Sequence, residues 1–408
     1  RLLAAVLPQM SPQRLDEALQ ELVRAELLFR RGAAAEPLFS FKHALVRDAA
    51  YNSLLRSQRG LRHAQVAETI ERLYADRIAE HLDRLGEHWF AAEAWDKAAD
   101  CLTRAGQRAA SAAAFEEASA LFDRALQANA RLGGDGAARK DRLRLLFRLH
   151  DALLPIGRYA QLHGVLAQAE VLAADAGDAA AQARAQSYLA HFLWIARGDN
   201  DQAFDHAMRS LELARASGRE ELTVAARFFL GQIENTRGNH EAAVAAFGQN
   251  IESLRTDPGA SRYDTYYAVT SRGWSIWALS ELGRFDEGVE LANQAYVTAQ
   301  ASGDTILLIA ALHAFTYLHC LRGDFDRAIE VGDRAMALPG MSDHTVLQWS
   351  ASVGWPLAGA LVRAGQLGRG TRLIEEVIAA CDARGLRSGE AFSACLRAEA
   401  YLLGGRLD

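Results

Sequence analysis

A glycine-centred turn returns at a nearly constant interval through the last two thirds of the chain. It reads Gly157-Arg158-Tyr159, Gly198-Asp199-Asn200, Gly238-Asn239-His240, Gly283-Arg284-Phe285, Gly323-Asp324-Phe325, Gly365-Gln366-Leu367 and finally Gly405-Arg406-Leu407. Successive glycines lie 41, 40, 45, 40, 42 and 40 residues apart. Each follows an apolar pattern of helical period and precedes another, the place where a helix C-cap must reach positive φ. A repeat of this length fixes the architecture before anything else does. One unit cannot bury its own apolar face, so neighbours must bury it for one another.

The side chains past each glycine carry the packing. Five residues on stand Ala203, Ala243, Gly288, Ala328 and Gly370, with Leu162 the exception. Twelve on stand Ala169, Ser210, Ala295 and Ala335, with Asn250 and Val377 departing. Small residues there let two helices approach closely, and aliphatics such as Leu211, Leu213, Ile329 and Ile374 keep helical spacing beside them. This pattern resembles the tetratricopeptide repeat, stretched from its usual period of about 34 residues to ~40. The expected fold is all-α: a right-handed tetratricopeptide-like α-solenoid of ~40-residue helix pairs, preceded by a small winged-helix module with one β-hairpin. Loop insertions are expected at Asp257–Ser261 and at Pro339-Gly340.

Composition agrees with helices. Alanine fills 80 of the 408 positions and proline only seven. Three lysines (Lys42, Lys97, Lys140) stand against 42 arginines, a bias expected of a GC-rich bacterial genome. The four cysteines, Cys101, Cys320, Cys381 and Cys395, form no CxxC, so a reduced, cytoplasmic setting is expected. The net charge of −6 does not point to nucleic acid, and no uninterrupted apolar run reaches the ~18–20 residues of a membrane span. The chain opens on Arg1 and stops inside a repeat, so it reads as a piece of a longer protein.

The first seventy residues differ. Ser11-Pro12 starts a helix, with the serine as N-cap and the proline at its first position. Glu26–Arg30 and Pro37–Phe41 bracket a turn at Arg31–Ala35 and read as a β-hairpin, followed by a helix from about Lys42. The expected organisation is a winged-helix module and following helix over 1–75, a helical connector over 76–134, and the repeat array over 135–408. The stretch Ala79–Leu132 reads as three or four helices, and Gly133-Gly134-Asp135-Gly136 as a linker.

Three segments here carry a more specific resemblance: Ala25–Gly32, then Phe39-Ser40-Phe41-Lys42-His43-Ala44-Leu45-Val46-Arg47-Asp48-Ala49-Ala50-Tyr51, then Ser53–Arg56. They are similar to the junction after the nucleotide-binding domain of bacterial signal-transduction ATPases with numerous domains. Adenylate/guanylate cyclases that carry such an ATPase and a helical repeat array resemble it most, and Arg104–Ala109 fits the same architecture. The resemblance implies a parent whose missing core binds ATP or ADP with Mg²⁺, and an intramolecular contact between that core and this chain. It also implies a role for His43. In related plant and animal switches a winged-helix histidine in a Met-His-Asp context contacts the β-phosphate of ADP; here Lys42 and Ala44 replace the flanking residues. The other reading of His43 is a helix-start imidazole bonding a nearby backbone carbonyl.

No catalytic chemistry is legible. There is no GxxxxGK[ST], HExxH or GxSxG. His313, His319 and Cys320 lie near one another on one helix, but two ligands on a face make no metal site. Arg47, Arg56, Arg59 and Arg62 form a local basic run, although DNA contact is not expected of this chain. No cofactor is expected in it either. The binding surface is expected on the inner face of the first helix of each pair. Registered on the turn glycines, that face holds Tyr188, Phe192, Phe228, Gln232, Asn235, Trp277, His313, Tyr317 and Trp355. Their aromatic rings suit a groove for a protein or peptide, or for a small effector; packing between repeats is the competing reading. The function so read is a non-catalytic sensor region that controls a signalling ATPase, in a cyclase. The alternatives are the sensor of a LuxR-type transcription regulator and a free-standing repeat scaffold.

Overall fold

The computed structural model describes residues 2–32, 37–134, 136–254, 260–339, 347–383, 385–387 and 389–405. The chain divides into two compact units, Arg1–Ala152 and Leu153–Asp408. The expected turn at Ala33–Ala35, the insertion residues 257–259, Gly340 and the terminal residues 406–408 lie outside the described residues, as does Asp135 of the linker.

The first unit opens with α1 (Leu2–Val6) and α2 (Pro12–Arg24). The Ser11 hydroxyl caps α2 by accepting from the Arg14 N–H at 3.3 Å, with Pro12 at the first helical position. Strands β1 (Leu28–Arg31) and β2 (Leu38–Phe41) pair antiparallel, Leu28 opposite Phe41 and Arg31 opposite Leu38. This hairpin is the one sheet among the described residues. Helix α3 (Ala44–Asn52) begins two residues later than expected, with extended His43 as its N-cap. Four helices follow: α4 (Arg56–Leu73), α5 (Leu82–Ala91), α6 (Trp95–Ser111) and α7 (Phe115–Asn129), with a 3₁₀ turn at Ala75–His81. Glycine sets their closeness. A Cβ on Gly86 would come within 2.6 Å of Leu102, and one on Gly106 within 2.7 Å of Phe122.

Helix α8 (Gly136–Leu153) leads to the second unit, built of α9 (Tyr159–Asp175), α10 (Ala179–Phe192), α11 (Asn200–Ser217), α12 (Glu220–Thr236), α13 (His240–Ser253), α14 (Arg262–Glu281), α15 (Phe285–Ser302), α16 (Thr305–Arg322), α17 (Phe325–Met336), α18 (Leu347–Arg363), α19 (Leu367–Asp382) and α20 (Glu390–Leu403). All seven turn glycines have positive φ, from +67° at Gly198 to +89° at Gly323. The small residues after them are where the helices meet: Ala203, Ala243, Ala328, Ala169, Ser210, Ala295 and Ala335 are fully buried. The two polar residues of this set bond across to the neighbouring helix: Asn250 Nδ2 donates to the Val224 carbonyl at 2.9 Å, and Ser210 Oγ to the Ala183 carbonyl at 2.8 Å.

A second glycine series, unread in the sequence, ends the other helix of several pairs. Gly177, Gly218, Gly303 and Gly385 each follow a turn glycine by 20 residues and sit at φ +61° to +68°. Helix α16 is long and apolar enough to cross a membrane by length and composition, with mean hydropathy 1.4, which the reading of uninterrupted runs passed over. Most of it is buried against α14, α15, α17 and α18, as the core helix of a solenoid requires.

Candidate functional site: an aromatic pocket in the second unit

The pocket begins with helix ends. Helix α10 finishes in a π-helical turn, Leu193–Arg197, before Gly198. That extra residue in the turn brings Trp194 inward, where its indole N–H donates to Thr236 Oγ1 at 2.9 Å. On α14, Trp274 and Trp277 are three residues apart and their rings stack, 5.1 Å between centroids at 21°. Trp194 meets Trp274 edge-on at 5.8 Å, and Tyr317 of α16 meets Trp277 at 5.1 Å. Trp355 of α18 packs against Phe392 of α20, 6.2 Å centroid to centroid. Together these rings wall a cavity of about 320 Å³, at the small end of the ~300–1,000 Å³ typical of ligand sites.

The loop before α20 closes it. The Arg387 N–H donates to the Ile195 carbonyl at 2.8 Å, and Leu386 joins the buried cluster of Trp194, Ile195 and Trp274. The last described helix pair is thereby bonded to the α10–α11 junction, some 190 residues earlier. A solenoid whose repeats met only their neighbours would leave an open groove; this contact makes a pocket instead.

Polar groups are few and placed at the wall. The Tyr317 hydroxyl donates to Glu281 Oε1. Burial first, and then the Glu281 carboxylate, push the Tyr317 phenol well above its ordinary range, so it keeps its proton. His313, buried on α16, is pushed down to about 4 by desolvation and stays neutral at pH 7. His240 Nδ1 lies 2.7 Å from Asn235 Oδ1. Asn235 Nδ2 and Trp355 Nε1 are buried without a hydrogen-bond partner among the described residues, a state that costs free energy until something accepts from them.

Of the nine inner-face residues, the structure brings five to the pocket: Asn235, Trp277, His313, Tyr317 and Trp355. Four stand elsewhere. Phe192 is buried with its ring stacked on His163 at 5.7 Å. Phe228 is enclosed by Phe229, Phe247 and Tyr267. Gln232 is buried beside them on α12, and Tyr188 is half-buried on α10. The register missed Trp194, Trp274, Glu281, Leu386 and Phe392. Helical spacing pointed to two of these, since Trp274 and Glu281 lie three before and four after Trp277.

In the first unit His43 is exposed and makes no capping bond through its side chain. The arginines behind it are engaged within the chain: Arg47 with Asp48, Arg56 with Glu93, Arg59 with Asn52 and the Tyr51 ring, Arg62 with Gln65. Among the described residues no cluster of three or more metal-ligating side chains occurs, and His313, His319 and Cys320 form none.

Stacked helix pairs of about forty residues, capped by left-handed glycines and enclosing an aromatic pocket, define a tetratricopeptide-like α-solenoid. Residues 181–255 match the family described as "Tetratricopeptide repeat". Among solved structures the chain is similar to a Rap protein complexed with Competence and Sporulation Factor, at 13% identity and a TM-score of 0.56, covering 83% of this chain and 98% of that one. It also matches a signal-transduction ATPase with numerous domains and a tetratricopeptide repeat sensor from Pyrococcus horikoshii, at 13% identity and a TM-score of 0.44. That match covers 98% of this chain and 58% of the other. Among curated proteins none matches this chain.

Proposed function

We propose that this chain is the non-catalytic sensor region of a larger signalling protein, and that its second unit holds a peptide or small effector in the aromatic pocket. The carrying observation is the closure itself: side chains from α12, α14, α16 and α18 converge on one cavity, and the Arg387–Ile195 bond ties the last helix pair across it. A ligand touching helices far apart in sequence can favour one curvature of the array over another, which is the differential interaction a switch needs. The likeness to the Rap protein, whose structure includes Competence and Sporulation Factor, supports an effector on such a fold.

The junction around His43 supports a parent with an ATPase core, of the adenylate/guanylate cyclase type. This chain by itself does not fit a nucleotide. It has no phosphate-cradling loop, and His43 is an exposed N-cap of a short helix without a second anchoring group. His43 is therefore assigned the part of a sensor that completes a site built by the core.

Two measurements test the reading. Calorimetric titration of ADP and ATP should show binding only to a chain extended through the core; binding to neither form sinks the sensor role of His43. In the parent, Trp277→Ala and Trp355→Ala should abolish the effector dependence of nucleotide turnover while leaving basal turnover in place. An undiminished response in both variants would remove the pocket from the function.

A further inference from the structure

We infer that the pocket takes a cationic nitrogen, an ammonium or guanidinium group on an apolar stem, with Glu281 as its counter-charge and the Trp277 and Tyr317 rings as its bed. This rests on the effector-pocket reading above and names the chemistry of the effector.

Charge carries the argument first. Among the described residues no arginine or lysine lines this cavity, and Glu281 is the one carboxylate that does. His313, a buried titratable group in the wall, is neutral at pH 7. Arg363, whose charge acts on the Tyr317 phenol, is already held by both oxygens of Glu399 at 2.8 and 2.9 Å. Among the described residues the imidazole of His240, which lies against Asn235 Oδ1, is the one other group in the wall that could carry positive charge, whereas a cation finds in Glu281 a carboxylate with no ion pair to give up.

Ring geometry carries it further. Trp274, Trp277 and Tyr317 form a continuous run of rings along the wall, neighbouring centroids 5.1 Å apart. Such faces attract cations, most of all when the site is partly desolvated. Glu281 lies one helical turn beyond Trp277 on α14, so carboxylate and indole share a face. The Tyr317 hydroxyl fixes that carboxylate by donating to Oε1. Glu281 itself is exposed, which places the negative charge where the cavity meets solvent and the aromatic floor behind it. A ligand would enter stem first and charge last. The unpartnered N–H groups of Asn235 and Trp355 add two donors for a carbonyl or hydroxyl on the same molecule.

The test uses the full chain and its tryptophan emission, since Trp194, Trp274, Trp277 and Trp355 all line the site. The probes are benzyltrimethylammonium, the blocked tripeptides acetyl-Leu-Arg-Leu-amide, acetyl-Leu-Leu-Leu-amide and acetyl-Leu-Glu-Leu-amide, and the neutral sugar cellobiose. The expected result is saturable quenching by a cationic probe, about tenfold tighter than by its neutral and acidic counterparts. Glu281→Gln, which keeps an acceptor for Tyr317, should cut the cationic affinity about tenfold and leave the neutral peptide unchanged. Quenching by the ammonium alone assigns a small amine, and by the arginine peptide alone a peptide ligand. Equal binding of the neutral or acidic peptides, preference for the sugar, or indifference of the cationic probe to Glu281→Gln overturns the inference and leaves the pocket as an effector site. Silence from every probe overturns it as well; the turnover response of the Trp277→Ala parent then decides separately whether the pocket reading stands. Tyr317→Phe, read beside a thermal melt, separates loss of the oriented carboxylate from loss of fold.

Discussion

The Trp355 indole occupies the space where a side chain on residue 389 would begin. A Cβ built on Gly389 overlaps the six-membered ring of that indole. The backbone there has φ −119°, open to any residue, so the demand is steric and not conformational. Gly389→Ala must displace the ring that walls the pocket on the α18 side. The expected cost is about 1–3 kcal/mol, as for other overpacked sites. The check is a lowered thermal midpoint together with a red-shifted tryptophan emission. Gly389→Ala with unchanged emission would mean that Trp355 does not rest there.

Two glycines of neighbouring helices should respond oppositely to the same substitution. On α12, a Cβ at Gly231 would come within 2.7 Å of the Phe247 ring, which is fully buried and has nowhere to go. On α13, a Cβ at Gly248 meets nothing within 4 Å. Gly231→Ala is expected to destabilise by about 1–3 kcal/mol. Gly248→Ala is expected to stabilise by about 0.5–1 kcal/mol, because alanine loses less backbone entropy in a helix interior. Denaturant midpoints of the two variants settle both signs in one experiment.

The turn glycines made the helix pairs legible because positive φ is a demand few residues meet, so the sequence records it at Gly157, Gly198 and their successors. The second series was harder to see. Its 20-residue offset is occupied by Pro258 and Asp343 in two pairs, so the period breaks where the eye expects it. Within the pocket, Trp277 and Tyr317 were readable since each stands six residues before its turn glycine. Phe192 and Gln232 stand at the same offset and yet do not line the cavity. Position within a repeat says which way a side chain points, not what covers it. Leu386 was out of reach for another reason. It joins Trp194 and Ile195 through closure of the array, and repeat logic accounts only for neighbours.

Acid should loosen both units over one pH window. In the first, Tyr51 Oη, His63 and His88 form a chain, 3.0 Å from hydroxyl to His63 Nε2 and 2.9 Å between the two Nδ1 atoms. Burial first, then the neighbouring His63, lower His88 to about 4. In the second, burial lowers His313 to about 4. An unfolded histidine takes its proton near pH 6.5. Between those values the unfolded state binds more protons, so stability rises with pH across the window and is lost as pH falls from about 6.5 to 4. Each histidine can add a slope of up to about 1.4 kcal/mol per pH unit. His88→Gln and His313→Gln should each flatten the fall of the thermal midpoint in this range. A midpoint that holds constant down to pH 4 in the unsubstituted chain would contradict the neutral, buried state of both rings.

Thiol chemistry gives a readout of the closed pocket that needs no ligand. Cys101, Cys320 and Cys381 are buried and Cys395 is exposed. Burial raises the first three thiols, Cys101 and Cys381 to about 11, which suppresses the thiolate that reacts. At neutral pH an alkylating reagent should label Cys395 alone in the native chain and all four cysteines after unfolding. Cys381 is the informative one. It packs in the cluster that holds Leu386, Ile195 and Trp194, so its protection depends on the loop being bonded across the array. Leu386→Ala removes the side chain that seals this contact and should cost about 2–5 kcal/mol if the site cannot collapse. It should therefore speed labelling of Cys381 while leaving Cys101, in the other unit, protected. Mass mapping of the labelled cysteines decides the matter. Equal labelling of Cys381 and Cys101 in Leu386→Ala would show global unfolding, and unchanged protection of Cys381 would show that the loop is not what encloses it.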